Sequence, residues 1–202
     1  MANNFIKSIM AGIAIGIGGW AFLASENKLV GSILFSVGLL LVCTMGYNLY
    51  TGKICKAFTI GGPKFILFPW MLLGNFLGTF IVAMLTRAGR PLLIDKAAAV
   101  CSAKLSEGLA VIPLAIMCNV MIYCAVTSYG ENPHQLGKYL GIILGVTIFV
   151  LCGFEHCVAN AYYFFVAGFS IRYIPFLLLN ILGNTIGGIV IYRLDTLSKI
   201  NY

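Results

Sequence analysis

Charge is distributed along this 202-residue chain so that seven long stretches contain no Asp, Glu, Lys or Arg: 8–25, 29–52, 65–86, 108–130, 139–154, 156–171 and 173–192. Together they cover 139 of the 202 residues. A helix needs about 20 apolar residues to cross a bilayer core of about 30 Å, and inside that core each backbone polar group must find a partner in the protein. Five of the stretches meet or approach that length, and the two shorter ones meet at a single charge, Glu155. Composition agrees: 60% of the residues are apolar and 9% charged, against about 25% charged in a soluble domain. A soluble enzyme, a secreted disulfide scaffold and a nucleic-acid-binding domain are all excluded. The chain is expected to be an all-α membrane protein, one transmembrane domain over 1–202.

The windows predict helices near 5–24, 29–50, 65–86, 108–129, 139–168 and 173–193. Their connections hold the breakers Gly61-Gly62-Pro63, Gly89-Arg90-Pro91, Asn132-Pro133 and Arg172-Tyr173-Ile174-Pro175. The first window imitates a cleaved signal peptide, with Lys7 before it and Ala21 to Ser25 at its end. Against that, Gly12, Gly16 and Gly19 line one face with the small-residue spacing of packed membrane helices, so a retained span is expected. Six spans place both termini on one side. The basic residues split seven to six between the two sides, so the positive-inside rule barely decides orientation, and the basic side opposite the N-terminus suggests attraction of anions. The seven cysteines are odd in number and mostly lie in or beside spans, which points to reduced thiols.

Two local echoes suggest an internal repeat. Leu73-Gly74-Asn75-Phe76-Leu77-Gly78 is matched by Leu182-Gly183-Asn184-Thr185-Ile186-Gly187, and Gly46-Tyr47-Asn48 by Gly153-Phe154-Glu155. Three spans per half require halves of opposite orientation, about 1–100 and 101–202. Such inverted repeats occur in transport proteins whose sites lie near the membrane midplane, in interrupted helices.

The least membrane-like stretch within a span is Cys152-Gly153-Phe154-Glu155-His156-Cys157-Val158-Ala159-Asn160. Ionisable groups inside a bilayer are costly and point to function. The combined run 139–171 is longer than one crossing needs, so an interruption near 153–160 is expected. Glu155 is expected to brace that interruption, and His156 to act on the solute, because an imidazole titrates near neutral pH and can exchange a proton with a weak acid. Glu155, His156 and Cys157 are consecutive and share no helix face, and no second ligand cluster exists. No metal or other cofactor is expected.

The stretch 153–160 resembles the corresponding motif of the formate/nitrite transporter family. Asn48-Leu49-Tyr50-Thr51-Gly52 resembles that family's loop in a broken second helix, and Leu182 to Gly188 its sixth-helix motif. The resemblance implies six transmembrane helices in an aquaporin-like inverted 3+3 repeat with helices 2 and 5 broken, and a homopentamer with one pore per protomer. The permeants implied are small monovalent anions: formate foremost, with nitrite or hydrosulfide as alternatives. Carried over by motif, His156 is the central pore histidine and Thr51 the hydroxyl facing it. Asn119 and Asn160 are polar pore neighbours. Phe35, Leu39, Ile122 and Phe149 form two apolar constrictions. Lys104 draws anions into the outer vestibule, and Glu155 and Asn184 are structural. The chain departs from the family in lacking the amphipathic helix before the first span and in carrying Asn48 where an acid is usual.

The resemblance implies a channel in a bacterial inner membrane with both termini cytoplasmic, whose partners are anions, protons and lipid. Two other functions fit parts of the sequence. A neutral-solute pore like the aquaporins fits the repeat but lacks paired Asn-Pro-Ala loops. A membrane-embedded enzyme using Glu155 and His156 lacks a second constellation to hold a substrate.

Overall fold

A computed structural model of the protein describes residues 2–59 and 67–200. The breaker Gly61-Gly62-Pro63 and the start of the helix expected from residue 65 lie outside the described residues. Nine α-helices follow in order among them: α1 (Ala2–Ala24), α2 (Lys28–Thr44), α3 (Tyr50–Lys53), α4 (Leu67–Gly89), α5 (Leu93–Leu105), α6 (Val111–Glu131), α7 (Gln135–Leu151), α8 (Cys157–Ala167) and α9 (Tyr173–Ile200). Among the described residues, four helical stretches are long and apolar enough to cross a membrane: Ala2–Ala24, Leu67–Gly89, Gly108–Glu131 and Tyr173–Lys199. Three shorter apolar helices, α2, α7 and α8, accompany them.

Two close pairs form the frame, α1 against α4 and α6 against α9. Glycine makes each approach possible. A Cβ on Gly78 of α4 would collide with the Ile9 carbonyl of α1, and one on Gly187 of α9 with the Ile116 carbonyl of α6. Only a residue without a side chain lets backbones meet this closely. The Gly-Asn-x-x-Gly stretches of the two echoing motifs therefore do the same work in the two pairs. Between the pairs α2 packs on α7, and α8 packs on α4 and α5.

Some helix limits differ from those read in the sequence. The helix expected over 29–50 stops at Thr44, and that expected over 139–168 is interrupted between Leu151 and Cys157. The cause is the same at both places. Gly46 (φ +65°) and Gly153 (φ +70°) take the left-handed conformation just past α2 and α7. Each end is closed by a backward hydrogen bond, Tyr47 N to Val42 O at 3.0 Å and Phe154 N to Phe149 O at 2.9 Å. Helix α5 lies where the sequence suggested only a connection. It is short and bears Asp95, Lys96 and Lys104, but Leu93, Ala97 and Cys101 form a buried stripe at four-residue spacing.

Candidate functional site

The two interrupted segments meet at the centre of the molecule, and each is held by an asparagine from a long helix. Asn75 of α4 accepts from the backbone N–H of Tyr50 (2.8 Å) and donates to the carbonyls of Ser8 (2.8 Å) and Asn48 (2.9 Å). Asn184 of α9 accepts from the N–H of Cys157 (2.9 Å) and donates to the carbonyls of Ala115 and Glu155, both at 2.8 Å. The backbone adds a matching pair, Asn48 N to Lys7 O (3.2 Å) and Glu155 N to Leu114 O (3.3 Å). Short helices begin with unpaired N–H groups, and chain breaks leave carbonyls unpaired. Both asparagines are fully buried, so each supplies from a neighbouring helix the cap and acceptors that water would supply at a surface.

These braces bring Thr51, in α3, against His156, which precedes α8. Thr51 Oγ1 and His156 Nε2 are 2.9 Å apart and buried. His156 also caps α8, its Nδ1 accepting from the Ala159 N–H at 3.1 Å. A neutral imidazole has one acceptor and one donor nitrogen. With Nδ1 accepting, the ring proton belongs on Nε2 and is donated to the Thr51 hydroxyl, whose own proton is free for another acceptor. Asn119 of α6 steadies this pair by donating to the Thr51 carbonyl at 3.1 Å. Its own Oδ1 is buried without a partner among the described residues.

Apolar rings flank the pair. Phe149 stacks beside the imidazole with ring centroids 6.0 Å apart, and Phe35 meets Phe149 edge to face at 5.9 Å. Leu39 and Ile122 are buried in the same core. Beyond Leu39 opens a cavity of about 240 Å³, bordered also by Val42, Leu49, Lys53, Val126 and Tyr129. Asn48 and Lys53 border a second, largely apolar cavity of about 420 Å³ beside the first turns of α1 and α4.

On the other side of His156 the polar groups are tied to one another. Glu155 is buried, and its two carboxylate oxygens receive the Lys104 ammonium at 2.6 and 2.8 Å. The Asn160 amide donates to Glu155 at 2.6 Å and to Asn180 Oδ1 at 2.9 Å, while Asn180 donates to the Glu155 carbonyl at 2.7 Å. Lys104, expected to draw anions into the outer vestibule, is thus held by Glu155, whose carboxylate offsets its charge. Asn160 faces this network, and its amide protons are spent there. Other basic residues read as an anion-collecting group are also engaged. Lys28 donates to the Leu151 carbonyl, Arg87 to the Val166 carbonyl, and Lys96 pairs with Glu26.

The structure thus gathers Thr51, His156, Asn119, Phe149 and Phe35 at one locus, and places Lys104, Glu155 and Asn160 in an adjoining charged network. Asn180 carries no motif of its own in the sequence, although it lies one turn before Asn184 in the apolar window 173–192. The pairing of Lys53 with Asn48 also went unread, since five residues separate them across a chain reversal. No group of three His, Cys, Asp or Glu residues that could hold a metal occurs among the described residues.

A frame of apolar helices around a small, buried polar centre with apolar rings beside it is the build of a polytopic membrane protein. The family model for formate/nitrite transporters matches residues 1–195. The chain belongs to the formate/nitrite transporter family. It is 26% identical to the formate channel FocA of Haemophilus influenzae over 182 residues, covering 79% of this chain and 64% of that one. It is 29% identical to the nitrite transporter NirC of Salmonella typhimurium, covering 94% and 81%. The chain thus spans somewhat less than two thirds of the formate channel's length. Among solved structures, a pentameric formate channel with formate bound superposes with a TM-score of 0.87 at 25% identity, covering 100% of this chain and 98% of that one. These relatives are channels and transporters rather than enzymes, and the family and the apolar helices make this chain a membrane protein.

Proposed function

We propose that the protein is a channel for small monovalent weak-acid anions, formate foremost and nitrite or hydrosulfide next, with one pore through each protomer of a homopentamer. In this reading six spans form an inverted 3+3 repeat: α2 with α3, and α7 with α8, are the two broken helices, and the matched asparagine braces support their equivalence. The pore runs past Phe35 and Phe149, the Thr51–His156 pair, Leu39 and Ile122 into the cavity bordered by Lys53. The membrane is a bacterial inner membrane, with both termini cytoplasmic.

The observation that carries this reading is the buried Thr51–His156 pair beside the Phe35–Phe149 contact. An isolated anion cannot enter so apolar a constriction without a large desolvation cost, whereas its conjugate acid is neutral and small. The anion takes a proton from water in the vestibule, leaving hydroxide behind, crosses as the acid, and returns the proton on the far side. Thr51 and the imidazole replace hydrogen bonds lost from water. His156 serves as a neutral partner in this geometry, because a second proton on Nδ1 would displace the Ala159 N–H from the helix cap.

Flux of formate, nitrite and hydrosulfide into proteoliposomes tests the reading. Movement above empty vesicles is expected, reduced about tenfold or more in Thr51→Val and His156→Ala. No movement of any of the three sinks it, and osmotic swelling without anion movement would instead favour a neutral-solute pore.

A further inference from the structure

The two halves differ in charge at equivalent positions. Position 48 corresponds to position 155: each backbone N–H reaches a carbonyl near the frame helix opposite, Lys7 or Leu114, and each carbonyl accepts from a bracing asparagine, Asn75 or Asn184. Each side chain also meets a lysine. Glu155 receives Lys104 on both carboxylate oxygens, while Asn48 receives Lys53 through its amide oxygen at 2.5 Å. The first lysine is neutralised and the second is not.

Among the described residues no carboxylate pairs with Lys53. It borders the cavity of about 240 Å³ beyond Leu39, and no acidic side chain lines that cavity among the described residues. The charged neighbour acting on Lys53 is Lys7, also positive. Glu131 and Asp195 share the Lys199 ammonium, and Asp195 also accepts from Tyr123, so neither carboxylate is paired with Lys53. The Lys53 ammonium is water-accessible at the rim of this largely apolar cavity, so it attracts an anion with the strength of a hydrated charge that no carboxylate offsets.

We propose that the Lys53 vestibule is a binding site for the small monovalent anion, without a counterpart at the Lys104 end, and that Asn48 creates it by leaving the lysine uncompensated. The inference rests on the channel reading above and adds a sidedness to it: anions load at lower concentration from the Lys53 side.

Two measurements test it on the full-length protein. In proteoliposomes sorted for one orientation, the formate concentration giving half-maximal flux is measured from each side. The wild type is expected to be half-saturated at about three- to tenfold lower formate from the Lys53 side, on the scale of one charge about 4 Å away in water. Asn48→Asp, which supplies the missing carboxylate, and Lys53→Gln, which removes the cation, should each abolish that difference and leave the other side within about twofold. Equal values from both sides in the wild type, or a difference that survives in both variants, overturns the proposal. The second measurement needs no transport: sodium formate should raise the melting temperature of detergent-purified wild type more than sodium gluconate does, and neither variant should show that excess. No excess in the wild type also overturns the site. A wild type that moves no formate yet shows an excess lost in both variants overturns the channel reading and upholds the site. Lys53→Gln keeps the test decisive if Asn48→Asp does not fold.

Discussion

Replacing one partner of the Lys104–Glu155 pair should cost far more than replacing both. Glu155 is 1% exposed and Lys104 16%, with N–O distances of 2.6 and 2.8 Å. Unit charges about 2.7 Å apart attract by about 6 kcal/mol at an effective dielectric constant near 20, and removing both from water offsets most of that. Loss of one partner strands the other, at about 3–5 kcal/mol. Glu155→Gln should therefore lose about 3 kcal/mol or more, since Lys104 keeps only an amide, and Lys104→Met about the same, with Asn160 left as the carboxylate's remaining side-chain donor. The double variant strands no charge and should lose about 1–3 kcal/mol, giving a coupling of at least about 2 kcal/mol. Denaturant unfolding of the four proteins in one detergent measures each value, provided folding is reversible. Single variants within about 1 kcal/mol of wild type, or losses that simply add, would refute a buried, mutually dependent pair.

Asn184→Ala removes one acceptor and two donors from fully buried partners, and at about 1–3 kcal/mol for each group left unsatisfied it should lower the melting temperature more than any exposed Asn→Ala. Asn75→Ala should match it within experimental error, because its three bonds are the counterparts. Gly78→Val should prevent recovery of folded protein after detergent extraction, since its side chain would occupy the Ile9 carbonyl; a well-behaved variant would show that α1 and α4 do not approach so closely. Glu107, just ahead of the stretch Gly108–Glu131, is pushed up to about 7 by burial and by the Glu155 carboxylate, with Lys104 opposing. Its folded-state value lies above its unfolded one, so the folded protein binds the extra proton and stability falls as pH rises from about 4.5 to about 7. Glu107→Gln, which relieves a buried oxygen without a partner, should be more stable than wild type at pH 8 and indistinguishable below pH 4.5 by thermal melting.

Much of the site was legible in the sequence because its cost was legible. His156 and Glu155 interrupt the apolar run 139–171, where polar groups persist only with partners or a task, and the Gly-Asn-x-x-Gly stretches stood out by repetition. The partners were not legible. The pairing of Lys104 with Glu155 spans 51 positions and leaves no local mark, and Asn180 is one amide among apolar residues. Helix α5 escaped notice because its charges hide a three-residue buried stripe whose meaning depends on α8 being there to cover it.

By itself the sequence determined that this chain lies in a membrane and that the over-long run 139–171 must be interrupted, because charge-free length and the cost of a buried charge act locally, whereas the end of α2 at Thr44 was decided by the fold. Only the tertiary structure decided which charges remain charges. Lys104 and Lys53 are alike in sequence, but the chain folds a carboxylate onto one and an amide onto the other, and electrostatic energy depends on distance in space rather than along the chain.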